Sequence, residues 1–296
     1  MRIRKLRQDL LVMYLYLSPS ILLVFLLGIL PIIYSVYLSF TNTILSKKPP
    51  YDFVGIRNYI HIITDKIFLT SLWKTIYYSG IVIPGVIFLG LFVSLLLTQK
   101  FHGKNFVLAC LLIPWAIPKV VNGLIWKWIF DGNFGIVNII LQRLGFIKEF
   151  KHWFMESPAL SLGIMGLITI WKEFPFVTII LLAALQTIDK EIYEAAHLDG
   201  AGPIARLVHI TLPNIRGALL TVLLLTTIWC VKTFDLVAVL TQGGPGDQTM
   251  LTYYYIYILS FDYLNVGRGA AAAYFVTVFL LLSAIVYYRL LVKARA

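Results

Sequence analysis

Glu194–Pro213 reads EAAHLDGAGPIARLVHITLP. It is a polar, charged island between two long apolar segments, roughly 158–187 and 215–240. Helix formers fill Asp189–Leu198, with Glu191 and Glu194 near the start, where the helix dipole favours acids. Gly200, Gly202 and Pro203 break that helix. Arg206–Ile210 is suited to resume a short one, and Pro213 opens the next apolar segment. A soluble island set in a chain otherwise built for a bilayer is placed to dock something.

The surrounding composition fixes the class. The chain has 296 residues, 59% of them hydrophobic and only 13% charged, with a mean hydropathy of +0.84. That balance describes a polytopic membrane protein rather than a soluble domain. The net charge of +11 is spread along the loops. It reads as the positive-inside pattern and not as a nucleic-acid surface. Cys110 and Cys230 both lie in apolar stretches and give neither a disulfide framework nor a metal spacing.

A membrane helix needs about 20 apolar residues. Segments 11–40, 72–98, 106–130, 158–187, 215–240 and 265–290 qualify, which predicts an all-α protein with six transmembrane helices in one domain, 1–296, and a polar loop at 188–213. The first apolar run continues from a basic start without a cleavage site, so it reads as a span rather than a removed signal. The third is the least regular, since it holds Pro114, Pro118, Lys119 and Lys127. Its prolines, like Pro19, Pro31, Pro84 and Pro175, need neighbouring helices to satisfy freed backbone groups.

Orientation follows from the basic residues. With the N-terminus inside, Arg2, Arg4, Lys5, Arg7, Lys100, Lys104, Lys190, Arg206, Arg216, Arg289, Lys293 and Arg295 face the cytoplasm. Fewer fall outside: Lys47, Lys48, Arg57, Lys66, Arg143, Lys148 and Lys151. The bias predicts both termini in the cytoplasm, with the Glu194–Pro213 island on the same side. The outer loops Tyr51–Tyr59 and Asp131–Pro158 are long enough for short helices along the membrane surface, with Trp153 and Phe154 at the interface.

Several chemistries have no motif here. There is no GxxxxGK[ST] phosphate loop and no HExxH, and His61, His102, His152, His197 and His209 are scattered without ligand spacing. No catalytic site, metal or cofactor is expected. Any ATP-dependent work requires another subunit to bind the ATP. Gly80, Gly85 and Gly90 recur every five residues, which suggests close helix packing rather than a small-xxx-small dimer face.

The island carries a signature. Glu194-Ala195-Ala196, then Gly200 after three residues, Ile210 after nine more, and Leu212-Pro213 resemble, without a gap, the EAA loop of the inner-membrane permeases of ATP-binding-cassette importers. FVGIRNY at Phe53–Tyr59, WKEFPF at Trp171–Phe176, Leu185–Pro213 and TQGGPG at Thr241–Gly246 resemble the carbohydrate branch. Within it they are most similar to the first of the two paired permeases, of maltodextrin and glycerol-phosphate type. The likeness runs over nearly the whole chain, in the compact form that lacks extra N-terminal spans and a large outer domain.

The resemblance implies a type I importer permease in a prokaryotic plasma membrane, forming half of a path for a sugar or oligosaccharide. Its implied partners are a second homologous permease, an ATPase dimer, an extracytoplasmic binding protein, the sugar and the lipid bilayer, with no nucleic acid. It also implies that Glu194, Ala195, Ala196, Asp199, Gly200, Ile210, Leu212 and Pro213 couple to the ATPase. The TQGGPG loop, which reads as flexible, would face the binding protein.

Polar groups inside spans mark a candidate path. Thr169, Lys172, Glu173 and Phe176 share one helical face by spacing, as do Thr226, Trp229, Cys230 and Thr233. These positions correspond to the region lining the sugar path in the family. For the charged groups two roles stand open, substrate contact and structural pairing. Lys232 and Asp235, three residues apart, fit an intrahelical pair. Tyr253, Tyr254, Tyr255 and Tyr257 read as interface anchors. A lone ion-driven transporter would use Lys172, Glu173, Lys232 and Asp235 as a relay, and a membrane enzyme would need a catalytic constellation. Neither alternative explains the EAA spacing.

Overall fold

The computed structural model describes residues 13, 14 and 16–292. The start of the first predicted span and the basic residues Arg2, Arg4, Lys5, Arg7, Lys293 and Arg295 lie outside them. The described chain is helical. Helices long and apolar enough to cross a membrane are Tyr16–Ser39, Lys66–Thr98, Pro158–Leu185, Arg216–Leu240 and Val266–Leu290.

The third predicted span departs from a straight helix. Lys104–Ala116 and Lys119–Ile129 meet at 91°. The cause is local: Ile117 is extended at ψ 130° and Pro118 at ψ 140°, as expected where a residue precedes proline. Pro118 also has no N–H to give the carbonyl of Pro114. The fifth span is interrupted too. Its helix ends at Val231 and resumes at Asp235–Leu240.

The chain packs as two units. One takes in the described residues up to Asp65 together with Ile256–Val276. Here the end of the first span is fastened by Asn58, whose side-chain amide donates to the carbonyls of Ser39 (2.9 Å) and Thr41 (2.8 Å). A short helix, Arg57–Thr64, forms in the first predicted outer loop. Gly267 admits the Thr41 carbonyl so closely that a Cβ would sit 2.3 Å from it.

The other unit takes in Lys66–Tyr255 and the described residues from Thr277 on. Its core is the second span laid against the fourth. Tyr78, Val82 and Val86 bury against a face that includes Met165, Ile168, Val177 and Leu181. Glycines permit that approach. A Cβ on Gly85 would meet Ile170 at 2.4 Å, and one on Gly90 would meet Val177 at 2.6 Å. Gly80 has open space beside it, so only two of the three spaced glycines serve the contact. A short helix, Ile136–Arg143, forms in the second predicted outer loop. Buried Asn138 accepts from Trp153 Nε1 and from the Lys151 backbone, which folds that loop back on itself.

Candidate functional site

The polar island folds as an elbow. Helix Lys190–Leu198 stops because Gly200 takes φ +80°. The Ala201 N–H then reaches back to Ala196 O (2.9 Å) and the Gly200 N–H to His197 O (3.1 Å). These are the paired bonds of a Schellman stop, which requires the left-handed region that glycine enters without a Cβ penalty. Gly202 and Pro203 start the next helix, Pro203–Arg206, with proline at its preferred first position.

A wide turn at Leu207–Thr211 and a three-residue helix, Leu212–Asn214, follow before the fifth span begins at Arg216. Pro213 therefore precedes the span rather than opening it. The two arms are joined by the Tyr193 hydroxyl and the Thr211 hydroxyl, 2.9 Å apart. Glu194, Ala195, Asp199 and Gly200 are exposed, Ala196, Ile210 and Leu212 half-buried, and Pro213 exposed. Leu198 is 88% and Ile204 76% exposed. The two leave apolar surface open on a charged elbow, uncovered by the other described residues.

The second predicted site is a cavity between the third, fourth and fifth spans. It is lined by Thr169, Lys172, Glu173, Trp229 and Thr233 from the expected set. Lys119, Asn122, Phe234 and Asp235 join them because the two chain breaks turn these residues inward. Its volume of about 30 Å³ is room for one water rather than a sugar ring. The remaining expected residues fall elsewhere. Thr226 and Cys230 are buried away from the lining. Phe176 lies between Trp115 (centroids 5.1 Å, 19°) and Trp229 (5.2 Å, 60°), so it reaches the cavity only through Trp229.

The charged residues separate into roles. The Lys172 ammonium donates to the carbonyls of Ile117 (2.6 Å), Trp115 (2.9 Å) and Pro114 (3.3 Å). Those are the last carbonyls of Lys104–Ala116 and its vertex, left without backbone donors by the break. A cation at a helix C-terminus is the favourable arrangement, and unsatisfied carbonyls are costly at membrane depth. Lys172 therefore spends its donors on structure. Adjacent Glu173 is buried and borders the cavity. Lys232 and Asp235 form no ion pair. The interruption at Lys232–Phe234 removes the helical register that the pairing needs, and the ion pairs among the described residues are Lys74–Asp247 and Lys151–Glu156.

The TQGGPG loop is tied down rather than loose. Asp247 pairs with Lys74 at 3.0 Å. The Thr249 hydroxyl lies within hydrogen-bonding distance of both Thr241 Oγ1 (2.6 Å) and Gly244 O (3.0 Å). The Thr252 N–H reaches Thr75 Oγ1 at 2.9 Å. Tyr254 and Tyr255 are buried core residues rather than interface anchors; Tyr254 packs on Phe234 and Tyr255 on Phe68.

The comparisons with known proteins bear on the whole chain. The family described as binding-protein-dependent transport system inner membrane component matches residues 86–295. The sulfoquinovosyl glycerol transport system permease protein SmoG of Agrobacterium fabrum is 38% identical over 265 residues, covering 90% of this chain and 85% of the relative. The trehalose/maltose transport system permease protein MalF of Thermococcus litoralis is 34% identical over 279 residues, covering 93% and 91%. Among solved structures, a chain of a bacterial ABC transporter involved in the import of the acidic polysaccharide alginate superposes with a TM-score of 0.84. It is 20% identical, with 100% of both chains covered. A chain of the alginate transporter in complex with an alginate pentasaccharide-bound periplasmic protein gives 0.83 at 20% identity, covering 98% and 97%. These two likenesses carry the fold.

Proposed function

Because this chain belongs to the binding-protein-dependent transport system inner membrane components, we propose that it is one permease of an ATP-driven importer for a sugar or oligosaccharide. It forms half of the translocation path. The observation that carries the reading is the elbow at Glu194–Pro213. A glycine-stopped helix leaves Leu198 and Ile204 exposed on a charged, membrane-adjacent element. The substrates named for its relatives, a sulfoquinovosyl glycerol and trehalose or maltose, support a glycosidic cargo.

The subunit does not hydrolyse ATP itself. A separate ATPase dimer docks on the elbow, a second permease completes the path, and an extracytoplasmic binding protein delivers the sugar. Both termini and the elbow face the cytoplasm, in accord with the distribution of Lys and Arg. Closure of the ATPases pushes the elbow. The fourth and fifth spans, which leave it on either side, carry that movement to Thr169, Glu173, Trp229 and Thr233. In the conformation described the cavity admits a water, so these elements must part before a sugar ring enters.

The test is co-purification from native membrane in mild detergent, with the bound subunits identified by mass spectrometry. An ATPase carrying a phosphate loop and a second EAA-bearing permease are expected. Recovery of this chain alone, still able to transport, would overturn the reading and return attention to an ion-driven mechanism.

A further inference from the structure

A cavity of about 150 Å³ lies wholly within the unit formed by the described residues up to Asp65 and Ile256–Val276. Arg57, His61 and Arg268 line it, with the amides of Asn42, Asn58 and Asn265, and no Asp or Glu does. Neither arginine enters an ion pair among the described residues. A nearby acid, Asp52, accepts from the Asn42 side chain at 2.9 Å and stands outside the lining. Asn265 Oδ1 accepts from the Arg268 N–H at 3.1 Å, capping the 27-residue helix Val266–Val292. The positive end of that helix adds to the same field.

The position of this basic pocket matters as much as its charge. It sits where the first span ends at Ser39 and the last begins at Val266, which is the level of a bilayer interface. Helix Arg57–Thr64 there is amphipathic. Ile56, at its N-cap, with Ile60 and Ile63 forms an exposed stripe, while Ile62 and Asn58 are buried. By helical spacing Arg57 and His61 flank the stripe one turn apart. An apolar stripe bordered by basic and polar side chains lies in the interface with those side chains at headgroup depth.

We propose that Arg57, His61 and Arg268 form a binding site for the phosphate of an anionic phospholipid headgroup. Guanidinium forks match phosphate oxygens bidentately, and the Asn265 side-chain amide can donate to a remaining oxygen, while Asn58 spends both of its N–H groups on the Ser39 and Thr41 carbonyls. The lipid would fix Arg57–Thr64 against the ends of the two spans.

The experiment is native mass spectrometry of the assembled importer, released from vesicles of phosphatidylglycerol mixed equally with phosphatidylcholine. The variants are Arg57→Ala with Arg268→Ala, the charge-keeping pair Arg57→Lys with Arg268→Lys, and Lys148→Ala as a control. The wild type should retain phosphatidylglycerol over phosphatidylcholine. The alanine pair should lose about tenfold or more of that retention, while the lysine pair and the control keep most of it. Arg57→Gln with Arg268→Gln provides a second neutral pair with a longer stem, in case the alanine pair assembles poorly. Equal retention by the wild type and both neutral pairs overturns the site. Displacement of phosphatidylglycerol by inorganic phosphate alone at comparable concentration overturns the lipid assignment in favour of a free anion.

Discussion

The Lys172 ammonium sits 2.6 Å from the Ile117 carbonyl oxygen, at the vertex where the third span turns by 91°. This contact links the fourth span, which leads into the elbow, to the limb that carries Lys119 and Asn122 to the cavity. It also removes Lys172 from the groups free to bind a ligand.

Lys172→Met should therefore act through the bend. The carbonyls of Pro114, Trp115 and Ile117 lose their donor, at a cost of about 1–3 kcal/mol for a buried group left unsatisfied. Uptake should fall together with the thermal midpoint of the purified assembly. A normal midpoint with a changed substrate range would return Lys172 to the role of ligand.

Gly200 should tolerate asparagine better than alanine. At φ +80° a side chain with a Cβ is strained by roughly 1–2 kcal/mol, and Asn enters this region more readily than Ala. Sugar uptake driven by ATP should rank Gly, Asn, Ala. Equal uptake for all three would mean that the Schellman stop is dispensable for coupling.

Tyr193→Phe removes one hydroxyl from the 2.9 Å contact with Thr211. The loss, about 0.5–1.5 kcal/mol, should loosen the two arms of the elbow without unfolding the spans. ATP hydrolysed per sugar imported should rise. An unchanged ratio in reconstituted vesicles would leave the contact a purely local brace.

Glu194→Lys should abolish transport while the chain still inserts and assembles in the membrane, because it reverses charge on the exposed elbow. Membrane fractionation alongside uptake separates the two effects. Full uptake by this variant would count directly against the docking role.

Trp229→Ala opens the cavity wall and unseats Phe176, whose ring lies 5.2 Å from it. Trp229 is half-buried, so truncation costs less than the about 3–5 kcal/mol of a fully buried aromatic but still perturbs packing, and Trp229→Phe is the informative companion. With Phe, assembly should survive while the concentration for half-maximal uptake rises. No change in that concentration would assign Trp229 to packing alone.

The helical class, the membrane spans and the elbow were legible because each rests on local chemistry. Apolar length, turn residues and the EAA spacing are properties of contiguous chain. The polar faces on the fourth and fifth spans were only partly legible. Spacing grouped Thr169, Lys172, Glu173 and Phe176, yet Phe176 stacks between two tryptophans and Lys172 turns to backbone carbonyls. The signal for the bend was present in Ile117-Pro118, with the paired lysines beyond it. Lys119 inside an apolar span already allowed a wet cavity as one reading, but a proline read as merely tolerated gave no reason to place Asn122 there.

By itself the sequence determined that this chain crosses a membrane on apolar helices and presents a glycine-stopped polar elbow. Hydrophobic length and glycine's access to positive φ are intrinsic to the residues. Only the tertiary structure decided which polar groups meet: Lys172 with the third span's carbonyls, Asp247 with Lys74, Tyr193 with Thr211. Each of those partners is distant in sequence or lies across a break, and a buried donor takes whichever acceptor the packing brings within reach.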